Sequence, residues 1–91
     1  MTPEVREHRK GGEAVFVGIS TNSETGARSA VYTHVESETG EIKLWDRPLG
    51  MFLENVPVDG QEVPRFKHLR DATDEEIIAA IREAAKNAPN I

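Results

Sequence analysis

Residues 44–52 read LWDRPLGMF and hold the chain's only tryptophan, with an arginine fixed against a proline just beyond it. An indole offers a stacking face and a guanidinium a fork of N–H donors. Trp45 and Arg47 on one concave surface could therefore grip a base, a peptide or a carboxylate. The same stretch can instead close a corner. Pro48 confines Arg47 to extended backbone, and Leu49, Met51 and Phe52 would then plug the core. Leu44 and Trp45 alternate along a strand, so an inward Leu44 sends Trp45 to the opposite side.

A second candidate is PRFKHLR, where Arg65, Lys67, His68 and Arg70 occur with no acid. On a strand, Phe66 points inward while Arg65 and Lys67 share the outer face, where they could hold an anion or simply meet water. Glu24, in the loop SETG, is a third polar candidate, since loops on a rigid scaffold often carry function. It could pair with Arg47 or Arg65. The expected ligand-binding set is Trp45, Arg47, Glu24, Arg65 and Lys67. His8, His34 and His68 lack metal-ligand spacing, so no metal or cofactor is expected. With no G-x-S-x-G, P-loop, H-E-x-x-H or recognisable carboxylate pair, the chain reads as a non-enzyme.

Ninety-one residues, 37% hydrophobic and 30% charged, suit one soluble domain spanning 1–91 with a modest core. The absence of cysteine removes disulfides, thiolate metal sites and a thiol nucleophile. No apolar run approaches the roughly 20 residues needed to span a bilayer. The first residues, MTPEVREHRKGG, lack the apolar centre of a signal peptide, so a cytoplasmic location is expected. A net charge of −5 disfavours indiscriminate binding to nucleic acid or anionic membrane.

These candidates must be positioned by short strands and one helix. The first dozen residues read as a polar, frayed start. AVFVGIS (14–20) and SAVYTHVE (29–36) read as strands, with Val15, Val17 and Ile19 on one face and Ala14, Phe16 and Gly18 on the other. EIKLW (41–45) is the third. Each SETG, at 23–26 and 37–40, is a hairpin turn closed by its glycine. Asp59-Gly60 marks a two-residue hairpin, and Pro57 and Pro64 confine that ribbon to an edge, which favours a monomer. Thr73 and Glu76 form a capping box that opens a helix. Its apolar stripe would be Ile77, Ile78, Ile81, Ala84, Ala85 and Ala88, with Pro89 as the stop. The fold class is α+β, mainly β. It is either a small SH3-like barrel or a curled antiparallel sheet of four to five strands, with an edge hairpin and one C-terminal helix at about 73–88.

In order along the chain, these pieces resemble the bacterial family known as domain of unknown function 1653. Its pattern runs Y-R-H-Y-K-G, H-S-E-T, V-V-Y, L-W-V-R-P-x-x-M-F and V-x-x-D-G-x-x-V-P-R-F. His8, Lys10 and Gly11 fall on the first piece, Ser23 to Thr25 on the second, and Val31 and Tyr32 on the third. Leu44, Trp45, Arg47, Pro48, Met51 and Phe52 fall on the fourth, and Val56, Asp59, Gly60 and Val63 to Phe66 on the fifth. The likeness covers about residues 6–67. Arg6 and Arg9 stand where the pattern has aromatics, and Asn22 where it has a histidine. The second SETG loop is longer, and the helix after Thr73 is an extension. The resemblance implies a shared fold and a bacterial source, and no activity.

Two expectations follow. One is a non-enzymatic module for an anionic or peptide ligand. The other is a protein–protein adaptor that docks through the C-terminal helix or the edge hairpin.

Overall fold

The computed structural model describes residues 2–88; the expected stop at Pro89 lies outside them. In chain order the elements are β1 (Glu4–His8), β2 (Glu13–Thr21), β3 (Arg28–Val35), β4 (Ile42–Pro48), α1 (Leu49–Leu53), β5 (Asn55–Val58), β6 (Gln61–Pro64), β7 (Phe66–Asp71) and α2 (Asp74–Lys86). Five strands form one antiparallel sheet in the order β4-β3-β2-β1-β7, and β5 pairs only with β6. Strands β4 and β7 are its two outer strands, so the sheet is open rather than a closed barrel.

Local chemistry sets the turns. In the first SETG the Asn22 carboxamide oxygen accepts from Glu24 N–H and Thr25 N–H. Thr25 Oγ1 accepts from Ala27 N–H, as Thr39 Oγ1 does from Glu41 N–H in the second copy. The backbone bonds also repeat, Gly26 N–H to Asn22 O and Gly40 N–H to Glu36 O, both at 2.8 Å. At the β5–β6 hairpin, Asp59 and Gly60 both have positive φ, the geometry of a type I′ turn.

The start of the chain departs from its polar reading. β1 is an inner strand, paired with both β2 and β7. Val5 is 1% exposed, and Glu4 is buried too. Arg6 explains how so charged a segment is tolerated there: it bonds the Glu4 carboxylate, donates from Nη1 to Phe66 O at 2.9 Å and lies over the Phe52 ring. Every buried polar side-chain atom among the described residues has a partner.

Cross-strand register defines the two faces. Glu4, Phe16, Tyr32 and Trp45 lie in one row, and Val5, Val15, Thr33 and Leu44 in a row facing the other way. Phe16, Tyr32, Ala14 and Ala30 pack with Phe52 of α1 and with Phe66 as the main core. A β-bulge between Phe16 and Gly18 carries Ile19 across to this core, away from the Val15 face expected from strict alternation. The corner partly matches its expected role. Phe52 is buried and Leu49 packs on the core, but Met51 points to solvent.

Helix α2 packs across β2, β3 and β4. Thr73 and Glu76 form the full reciprocal capping box, and Asn87 Nδ2 donates to Ile42 O at 2.8 Å. The packed line is Ile77, Ala80, Ala84 and Asn87. Ile78 and Ile81, expected on the same stripe, are 49% and 43% exposed. The stripe is wide enough for two lines, and the sheet covers one.

Phe52 and Met51 provide a contrast between neighbours. Phe52→Ala should lower the unfolding free energy by about 3–5 kcal/mol in urea denaturation. Met51→Ala should change it by no more than about 0.5 kcal/mol. Equal losses would mean the corner is not anchored by the aromatic core.

Candidate functional site

Trp45 sits at the end of the aromatic row, on the outer strand β4, and is 37% exposed. Its Nε1–H donates to His34 O at 3.0 Å, which fixes the indole. Arg47, two residues on, shares that face. It lies opposite the fully buried Ala30, and its Nε donates to Tyr32 Oη at 3.3 Å. The guanidinium carbon stands 5.9 Å from the Phe66 ring centre.

The β1–β2 turn forms the opposite wall. His8 stacks edge-on against Phe66 and lies 5.0 Å from the His34 ring. Lys10 N–H donates to His8 Nδ1 at 3.1 Å, so the ring hydrogen of neutral His8 is on Nε2. His34 Nε2 is 3.3 Å from Gly11 O; a carbonyl only accepts, so this nitrogen donates. Gly12 has φ +83°, and a Cβ there would come within 3.2 Å of His34 Nε2. The turn approaches the imidazole this closely because position 12 is glycine.

Between these walls lies a cleft of about 570 Å³, its working surface made by His8, Tyr32, His34, Trp45 and Arg47. That volume is within the range of small-ligand sites. The acid at its edge, Glu36, is engaged by Lys43 and Thr39, which hold its pKa below the usual carboxylate value. Among the described residues Arg47 forms no ion pair, and neither Nη atom has a hydrogen-bond partner. The cleft thus presents a half-buried cation with its donor fork unfilled. Burial lowers the His8 pKa to about 4, with the charges of His34, Arg9, Arg47 and Arg65 adding to the effect.

The sequence-expected residues are dispersed. Trp45 and Arg47 meet in the cleft. Glu24 is exposed on the β2–β3 turn. Arg65 is taken up by Glu54, with Nε and Nη2 donating to Oε1 at 3.1 and 2.7 Å. Lys67 lines a separate shallow groove with Arg9, Val58 and Pro64. The other bases of PRFKHLR also meet acids: His68 is 3.3 Å from Glu4, and Arg70 bonds Glu76. Only one grouping of metal-ligand type occurs among the described residues, Glu4, His68 and Asp71, and Arg6 already holds its central carboxylate. Sequence reasoning passed over His8 and His34, whose meeting depends on strand pairing. The available signal was the Gly-Gly turn directly after His8-Arg9-Lys10.

Fold and cleft together define a small open-sheet protein with an aromatic, cationic recess at one outer strand. The chain belongs to the family described as "Protein of unknown function (DUF1653)", which it matches over residues 5–68. Helix α2 lies beyond that match. A crystal structure of a protein of this family from Bordetella bronchiseptica is similar, at 27% identity and a TM-score of 0.67, over 80% of this chain and 92% of that one. Among curated proteins none matches.

Because the fold lowers the His8 pKa below the ordinary 6.5, neutral His8 belongs to the folded state. Its stabilising contribution is complete above pH 6.5 and is lost as pH falls from there towards about 4. Urea titrations across that window should show a smaller stability loss for His8→Gln than for the parent chain. Parallel curves would contradict the placement of His8 in a desolvated, cationic recess.

Proposed function

We propose that the protein is a non-enzymatic binding module that holds a small anionic ligand in this cleft. Arg47 takes the ligand's oxyanion, and Trp45 stacks on its planar body. The observation that carries this reading is the Arg47 fork, half-buried on an aromatic surface with both Nη atoms unfilled. Arg47 lines the cleft with both Nη atoms unpaired within the chain and open to solvent, so an anion supplied from outside can take the fork without displacing an internal partner. The carboxyl end of a peptide offers the same oxyanion chemistry. Extended nucleic acid fits less well with a net charge of −5. A bacterial cytoplasmic setting is in keeping with the cysteine-free sequence.

A second reading has an observation of its own. Ile78 and Ile81 form an uncovered apolar line on α2, outside the family match, which favours an adaptor role for that helix.

An amide NMR titration at low salt separates the two. The panel is simple carboxylates, nucleoside monophosphates, short peptides and single-stranded nucleic acid. Shifts should group at residues 8–12, 32–36 and 45–47. Arg47→Gln should weaken binding about tenfold or more while leaving the spectrum folded. Shifts at Lys67 instead, or undiminished binding by the variant, would refute the cleft assignment. A spectrum unchanged by the whole panel would favour the adaptor.

A further inference from the structure

Arg47 is not the only group lining the cleft that can carry positive charge. Two imidazoles lie 5.0 Å apart within it, one from β1 and one from β3. We propose that the cleft takes up its anion together with a proton, which the His8–His34 pair accepts from solvent on binding. This inference rests on the anion-binding reading above.

The hydrogen bonds decide which nitrogen receives the proton. His8 Nδ1 already accepts Lys10 N–H at 3.1 Å, so protonating it would set two N–H hydrogens against each other. His34 keeps its Nε2 contact to Gly11 O in either charge state. Its Nδ1 has no hydrogen-bond partner among the described residues, so protonation there breaks no bond. The proton therefore goes to His34 Nδ1, and no covalent bond other than N–H is formed.

The surrounding charges explain why uptake waits for the anion. The pair is faced by Arg9 and Lys10 from the β1–β2 turn, Arg47 from β4 and Arg65 from the segment before β7. The acid nearby, Glu36 after β3, is already matched by Lys43. These cations oppose a further positive charge in the empty cleft, adding to the burial that chiefly lowers His8 to about 4. An oxyanion on the Arg47 fork cancels part of that field at both rings, so the bound cleft holds a proton that the empty one releases.

The test is titration calorimetry of the full chain with phenyl sulfate, whose charge is constant between about pH 5.5 and 7.5. Runs in two buffers of different ionisation enthalpy count the protons taken up. Uptake should approach about one proton per ligand, and affinity should rise by up to about tenfold per pH unit as pH falls. His34→Gln should abolish the uptake, leaving its remaining binding insensitive to pH. Binding by the parent chain with no proton uptake and a flat pH profile would overturn the proton coupling and leave anion binding intact. No binding at any pH across this window, with no amide shifts at 45–47, would overturn the anion reading itself.

Discussion

The contact on which the rest of the molecule depends is the stack of Phe52 on Phe66, ring centres 4.6 Å apart. Phe52 comes from the single turn of α1 and Phe66 from the first position of β7. One stack therefore fixes both the corner after β4 and the return of the chain to the sheet. Phe16 and Tyr32 approach Phe52 at 5.4 Å from the two inner strands beneath it. A domain of this size has few large side chains with which to build a core, and here four aromatics form its centre.

The cleft is the exposed margin of that cluster. His8 and Arg47 both rest on Phe66, and the Tyr32 hydroxyl accepts from Arg47, so the polar groups are positioned by rings that are themselves immobilised. Arg6 lies over the Phe52 ring and neutralises the buried Glu4, which lets a charged strand occupy the middle of the sheet. Two arginines on one aromatic cluster thus have different fates. Arg6 is consumed by a carboxylate inside the fold, while Arg47 keeps its fork for the cleft.

The legible parts of the fold were those whose causes are local. Both SETG turns and the Thr73–Glu76 box are closed by side chains within four residues of each other, and the Asp59-Gly60 hairpin by the backbone conformation of two adjacent residues. Strand β1 was not legible as an inner strand, because that place depends on pairing with β7, 58 to 67 positions along, and on a salt link that no periodicity displays. Ile19 was misplaced by a bulge, and Met51 by the geometry of one helical turn. An open sheet and a barrel share the same strand pattern and differ in whether the outer strands meet. Of the site, Trp45 and Arg47 were visible as residue types that suit recognition. The two histidines were not, since 26 positions separate them in sequence. The basic run at 65–70 looked open only because its acidic partners Glu4, Glu54 and Glu76 lie elsewhere in the chain.

The most direct test of the central claim, that Arg47 is held open for an external anion, is a crystal structure of the chain with phenyl sulfate. A sulfate oxygen should lie about 2.7–3.2 Å from an Arg47 Nη atom, with the phenyl ring against Trp45. An Arg47 fork satisfied by a carboxylate of its own chain, with the ligand absent or seated in the Lys67 groove, would contradict it.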